Sequence, residues 1–333
     1  MTITKRNLGG RSVNPVGLGC MNICWAYGPA VEDDYAIKLL NRALDVGYDH
    51  LDTARIYGAG KSEELIGTAL KSRRSAYYLA SKMGIIVDGP NRGVDCRPET
   101  IRAACEESLR LLQTDHIDLY YMHRRDFKTP IEDSVGAMAD LIKEGKIGGI
   151  GLSEMSADTL RIAHATHPIT AVQTEYSLMT RQPEIAVLVA CKELGVTFVA
   201  FSPVGRGFLS NTFKGGPMWG EGDLRANWPR FKDPDYSANM ALVAAFNAIA
   251  SEEGVTPAQL SLAWVHAQGN HIVTIPGTQS IAHMEENIAQ WDYAPSADVV
   301  AKLDQLINRH TVSGPRYSPG LQMTIDTEEF VDG

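Results

Sequence analysis

Long apolar runs are missing from this chain, and so is any cluster of basic residues. No run is long enough to cross a bilayer, and the first residues, Met1-Thr2-Ile3-Thr4-Lys5-Arg6, lack the apolar core of a secretory signal. With 31 basic against 40 acidic residues the formal net charge is −9, which argues against nucleic acid and anionic membrane surfaces as partners. Cysteine is scarce: five residues, at 20, 24, 96, 105 and 191, odd in number and scattered. They read as free thiols in a reducing compartment rather than a disulfide framework or a zinc site, so the expected location is cytoplasmic. Paired histidines and carboxylates in metal-ligand spacing are also missing, which speaks against metal chemistry. The turn Gly17-Leu18-Gly19-Cys20-Met21-Asn22 lacks the third glycine that an open dinucleotide-binding sheet would want.

What is present is an ordinary, core-forming composition: 333 residues, 44% hydrophobic and 21% charged. Residues 3–17 read as a β-hairpin turned at Gly9-Gly10. After it, short apolar runs alternate with segments of helical periodicity. The expected strands are 16–21, 50–53, 77–82, 117–122, 147–152, 171–174, 197–201 and 272–275. The expected helices are 33–45, 62–70, 98–112, 131–144, 157–165, 183–194, 238–253, 257–268, 281–288 and 297–309. Continuously apolar strands, each followed by a helix, imply a parallel sheet covered on its outer face. Eight such units favour an α/β fold with one closed (β/α)8 TIM barrel over 1–333, carrying an N-terminal hairpin and extra C-terminal helices; an open doubly wound sheet is the runner-up. The stretch 202–237, rich in Gly, Pro, Trp and Arg, is too long for a connector and reads as a loop over the barrel mouth.

Chemistry-bearing residues fall at or just after consecutive strand ends: Asp52 and Tyr57, then Lys82, then His123. Barrels keep their chemistry at that end. A phenol, with a pKa of about 10, is a poor acid–base group at neutral pH. A lysine ammonium beside it favours phenolate, and a buried lysine needs a counter-charge, which Asp52 supplies. His123 is suited to hold a carbonyl oxygen. Alone, Asp52 and Lys82 could equally be a bracing ion pair, Tyr57 a rim aromatic and His123 a core histidine; their joint placement favours a site.

Seven segments in order resemble the aldo-keto reductase family over nearly the whole chain. They are Asp52-Thr53-Ala54-Arg55-Ile56-Tyr57-Gly58, Ser81-Lys82, Met122-His123-Arg124, Gly151-Leu152-Ser153-Glu154, Val172-Gln173-Thr174-Glu175-Tyr176-Ser177, Phe201-Ser202-Pro203-Val204-Gly205-Arg206-Gly207 and Ile275-Pro276-Gly277-Thr278. The resemblance implies a barrel that binds a nicotinamide cofactor and a tetrad of Asp52, Tyr57, Lys82 and His123, with Tyr57 as proton donor in reduction and base in oxidation. It implies carboxamide contacts from Ser153, Glu154 and Gln173, and a nicotinamide stacked on Phe201. Ser202, Pro203, Gly205, Gly207 and Leu209 correspond to the pyrophosphate loop. Ile275, Gly277, Thr278, Ser280 and His283 correspond to the adenosine phosphate segment, and Glu286 and Asn287 to adenine contacts. NADP(H) is the expected cofactor. Gln279, Ser280 and His283 stand where family members usually place Lys or Arg, which keeps NAD(H) as the alternative. Trp25, Tyr27, Arg124, Trp219 and Trp228 suggest an aromatic-lined pocket for a small-molecule carbonyl substrate. Arg225 and Arg230 would bind an anion or be solvated. The alternative function is a cofactor-binding regulatory or auxiliary subunit with little turnover.

Overall fold

The computed structural model describes residues 4–88, 91–213, 219–289 and 293–331. Residue 3 of the expected hairpin, 214–218 of the long loop and 332–333 of the tail lie outside the described residues. Two short strands, β1 (Arg6–Leu8) and β2 (Arg11–Val13), pair antiparallel around Gly9-Gly10. The alternation then begins with β3 (Leu18–Gly19), α1 (Asp33–Asp45), β4 (His50–Asp52), α2 (Lys61–Leu70) and β5 (Tyr78–Met83). A second hairpin, β6 (Ile85–Asp88) and β7 (Asn91–Val94), precedes α3 (Pro98–Leu112). There follow β8 (Leu119–Met122), α4 (Ile131–Lys143), β9 (Ile150–Ser153), α5 (Ala157–Thr166), β10 (Ala171–Glu175), α6 (Val187–Leu194) and β11 (Thr197–Phe201). The last elements are α7 (Asp235–Glu252), α8 (Pro257–Ala267), β12 (Ile272–Ile275), α9 (Ile281–Ile288), α10 (Ala297–Leu306) and the short α11 (Pro319–Gln322).

Eight strands form one parallel sheet in the order β3-β4-β5-β8-β9-β10-β11-β12. Bridges Val16↔Thr274 and Gly19↔Gly277 join its two ends, with Gly17 N donating to Thr274 O at 2.8 Å, so the sheet closes into the expected barrel. The strands are buried on both faces, as their unbroken apolar runs require: all six residues of β5 and all four of β8 are inaccessible. The helices bury their apolar stripes against the outside. Pro98 starts α3, and a reciprocal Thr256–Gln259 capping box starts α8.

The barrel interior is a packed core. Leu8 and Val13 of the N-terminal hairpin close its lower end against Tyr78, Leu119, Tyr121 and Val199. Tyr121 fills the interior so fully that a Cβ at Gly151 would stand 2.2 Å from its ring, which leaves glycine as the residue that fits on β9 there. With the lower end filled, functional side chains have only the upper, C-terminal rim to occupy. Among its described residues the loop 202–237 carries three 3-10 turns, at 205–210, 224–227 and 229–231, and its last residues already belong to α7 from Asp235.

Candidate active site

Asp52 ends β4, and its side chain points into the barrel, almost wholly buried. Lys82, one strand over in β5, is fully buried and donates to Asp52 Oδ1, to the Thr53 carbonyl (2.8 Å) and to Tyr57 Oη (3.4 Å). The other Asp52 oxygen accepts from Gln173 Nε2 at 2.7 Å. Tyr57 sits in a tight turn with Gly58 and Ala59 in left-handed backbone, which swings the ring back over the rim. His123, just past β8, stands edge-on to the Tyr57 ring at 5.8 Å, and Trp25 tilts against the same ring at 6.1 Å.

Burial pushes the Tyr57 phenol above its ordinary pKa; the Lys82 ammonium pulls it back, but not fully. Lysine's pull is therefore present as the sequence suggests, while desolvation outweighs it in the folded chain. The phenol is thus held protonated at neutral pH, as a proton donor must be. For Lys82, burial disfavours the cation, yet Asp52, the Tyr57 oxygen and the bonds to both together raise its pKa, so it stays charged. Replacing Lys82 with Met removes that pull on the phenol. The alkaline rise in residual alcohol oxidation, which follows Tyr57 deprotonation, should then move to higher pH; an unshifted pH–rate profile would refute the pairing.

Asp52, Tyr57 and His123 line one cavity of about 650 Å³. Ser153, Gln173 and Phe201 line it next to them; Ser202, Pro203 and Gly207 continue it. Ile275, Gly277, Thr278, Ser280 and His283, then Glu286 and Asn287, form its far end. Four expected site residues do not line it. Lys82 lies behind Tyr57. Gly205 turns the loop in left-handed backbone, and a Cβ there would meet Met179 Cγ at 2.9 Å. Leu209 is core. Glu154 points away altogether: both its oxygens accept from Arg316, one of them also from the Glu175 N–H at 2.9 Å. A carboxylate so engaged is not directed at a carboxamide.

The pocket aromatics divide as well. Trp25, Tyr27 and Trp228 line the cavity, whereas Trp219 packs on Phe213 and Phe231 with its Nε1 on the Phe231 carbonyl. Arg230 is half-buried and tied to backbone carbonyls rather than left free for an anion. It donates to the carbonyls of Gly314 and Met179 (3.0 and 2.7 Å), and burial lowers its pKa to about 10.

The sequence reading missed one wall. Tyr317, Leu321, Thr324 and Ile325 of the C-terminal segment line the cavity. Arg316 anchors that segment, donating to Glu154 and, at 2.6 Å, to Glu175. Glu175 also receives Arg206 of the pyrophosphate-type loop (3.0 Å), and Arg206 donates to Tyr317 Oη at 2.7 Å. The only sequence signal was an Arg-Tyr pair inside Gly314-Pro315-Arg316-Tyr317-Ser318-Pro319.

A parallel barrel with a buried Asp–Lys–Tyr chain opening beside a histidine has known relatives. The family model described as the aldo/keto reductase family matches residues 15–308, and the chain belongs to that family. It is 40% identical over 328 residues to the aldo-keto reductase yakc of Schizosaccharomyces pombe, whose name includes NADP(+), covering 96% of each chain. It is likewise 40% identical over 340 residues, 99% of each chain, to the aldo-keto reductase str7 of Strobilurus tenacellus. Among solved structures it is similar to a glycerol dehydrogenase of Gluconobacter oxydans (TM-score 0.85, 27% identity, 96% of this chain and 99% of that one). An aldo/keto reductase of Klebsiella pneumoniae in complex with NADP and acetate is also similar (TM-score 0.73, 26% identity, 95% and 99%).

The far half of the cavity fits a dinucleotide by its donor set. The hydroxyl residues Ser202, Ser210, Thr212, Thr278 and Ser280 line it, and the first turn of α9, capped by Ser280, opens on it. Helix N-terminal amides and hydroxyls suit phosphate.

Proposed function

We propose that this chain reduces an aldehyde or ketone to the alcohol, or runs the reverse, with NADP(H) as cofactor. The observation that carries the reading is the continuous link Asp52–Lys82–Tyr57, buried at its base and ending on the cavity. When bound, the nicotinamide supplies or accepts the hydride. The protein's own residues do the rest. Asp52 holds Lys82 charged. Lys82 orients Tyr57 and eases its proton toward the developing alkoxide. His123 positions the carbonyl oxygen, and Phe201 offers a ring face at the same end. Ser153 and Gln173 line the wall where a carboxamide would lie, and Ser280 with His283 is where a 2′-phosphate would sit.

Names of relatives support NADP(H) over NAD(H). The same reading takes a small molecule as substrate, with no nucleic acid or membrane partner, and a cytoplasmic location. The free state of all five cysteines supports a reducing compartment; no described helix is long and apolar enough to cross a membrane. No observation favours the regulatory-subunit alternative. The test is loss of nicotinamide absorbance when protein, NADPH or NADH, and an aryl aldehyde are mixed. We expect turnover with NADPH and a tighter dissociation constant for NADPH than for NADH; tighter NADH binding would reverse the cofactor assignment, and binding without turnover across several carbonyls would reverse the reaction assignment.

A further inference from the structure

The three arginines on the cavity wall are not equivalent. Arg206 is ion-paired with Glu175, and Arg225 with Asp223 at 2.6 Å. Arg124 forms no carboxylate ion pair among the described residues. Its Nη1 donates to the His123 carbonyl at 2.6 Å and reaches Ser153 Oγ at 3.4 Å. The side chain is half-buried and lines the cavity one residue beyond His123. Its charge is felt at the Tyr57 phenol, so it stands at the chemical end of the cavity. Thr278, Ser280 and the first turn of α9 follow β12, four strands away around the barrel from β8, which Arg124 follows, so this guanidinium stands across the cavity from the phosphate-suited segment. The same cavity also carries aromatic and apolar lining: Trp25, which tilts on Tyr57, and Tyr27, Trp228, Leu321 and Ile325.

A partly desolvated guanidinium without a counter-ion is an incomplete arrangement, and a carboxylate completes it with charge-assisted hydrogen bonds. We propose that Arg124 recognises a carboxylate on the substrate, and that the substrate class is an apolar, aromatic-bodied aldehyde or ketone that carries one. The proposal rests on the carbonyl-reductase reading above. The hydride and proton are accounted for as there, and the carboxylate takes no part in the chemistry. Arg225 does not serve the same end, because its three hydrogen bonds to Asp223 and its stacking over Tyr27 and Trp219 already satisfy it.

The experiment compares kcat/KM, with NADPH, for 3- and 4-carboxybenzaldehyde against their methyl esters in wild type, Arg124→Met and Arg124→Lys. A charge-assisted contact predicts that Arg124→Met loses roughly ten- to a hundredfold more on the acids than on the esters, mostly through KM. Arg124→Lys should recover part of that difference, and rising salt should erode the wild-type preference. Equal losses on acid and ester would make Arg124 a support for the His123 backbone and overturn the proposal while leaving the reductase reading intact. If wild type reduces neither acid nor ester, the reductase reading fails and the proposal fails with it.

Discussion

Tyr57→Phe is expected to lower carbonyl turnover by about 10²–10⁴-fold, the usual contribution of a positioned general acid. The substitution removes one oxygen and little else. The ring that packs on Trp25 and His123 remains, so the fold and the cavity wall should persist. Lys82 keeps Asp52 and the Thr53 carbonyl as partners, so no buried charge is stranded. The lost group is the phenol, whose oxygen accepts from Lys82 Nζ at 3.4 Å and whose own proton is kept on it by burial. Steady-state turnover of an aryl aldehyde gives the loss, and a parallel NADPH titration separates it from damage to the cofactor site. Turnover within a few-fold of wild type would remove Tyr57 from the mechanism.

The second large effect concerns stability. Arg316→Met should destabilise the chain by about 3–5 kcal/mol, because it strips a buried carboxylate of its partner rather than replacing a pair. Arg316, Glu154, Glu175 and Arg206 are all buried, two charges of each sign with matching hydrogen bonds. Their mutual neutralisation is what permits the burial. Urea unfolding of Arg316→Met, Glu154→Gln and the double variant checks this: the double variant should lose less than the sum of the two single losses, whereas a purely additive result would mean the pairing contributes nothing. The pH dependence follows from Glu175. Burial alone would raise its pKa, but Arg206 and Arg316 together hold it far below the ordinary carboxylate range. Its folded value lies below its unfolded one. The stabilisation is therefore complete above the unfolded carboxylate's range, and is lost as pH falls toward the lower folded value.

Much of this was legible in the sequence because it is local. Apolar runs ending in Asp52, Lys82 and Met122 marked strand ends, and strand ends of a barrel mark its site. Boundaries moved by a few residues: the expected 147–152 strand pairs as Ile150–Ser153, and the 183–194 helix begins at Val187 after a 3-10 turn. The antiparallel pair β6–β7 is absent from the strands expected above, although Ile85-Ile86-Val87 and the residues Asp88-Gly89-Pro90-Asn91 after it are strand-type and turn-type in sequence. The role of Glu154 was not legible, since its partner Arg316 lies 162 residues away and no periodicity links them. Arg230 misled for the same reason: nothing near it in sequence announces the carbonyls of Met179 and Gly314 that hold it. Charge in a loop reads as solvated until the tertiary partner is known.

The missing side chain at Gly151 has a consequence for descent. Its place is taken by the Tyr121 ring from the neighbouring strand, 2.2 Å from where a Cβ would be. Neither position can change first without cost: alanine at 151 collides with the ring, and a smaller residue at 121 leaves a hole in the barrel. The two sites therefore form one heritable character. A lineage that shrinks Tyr121 gains freedom at 151, and one that keeps the ring inherits the glycine with it.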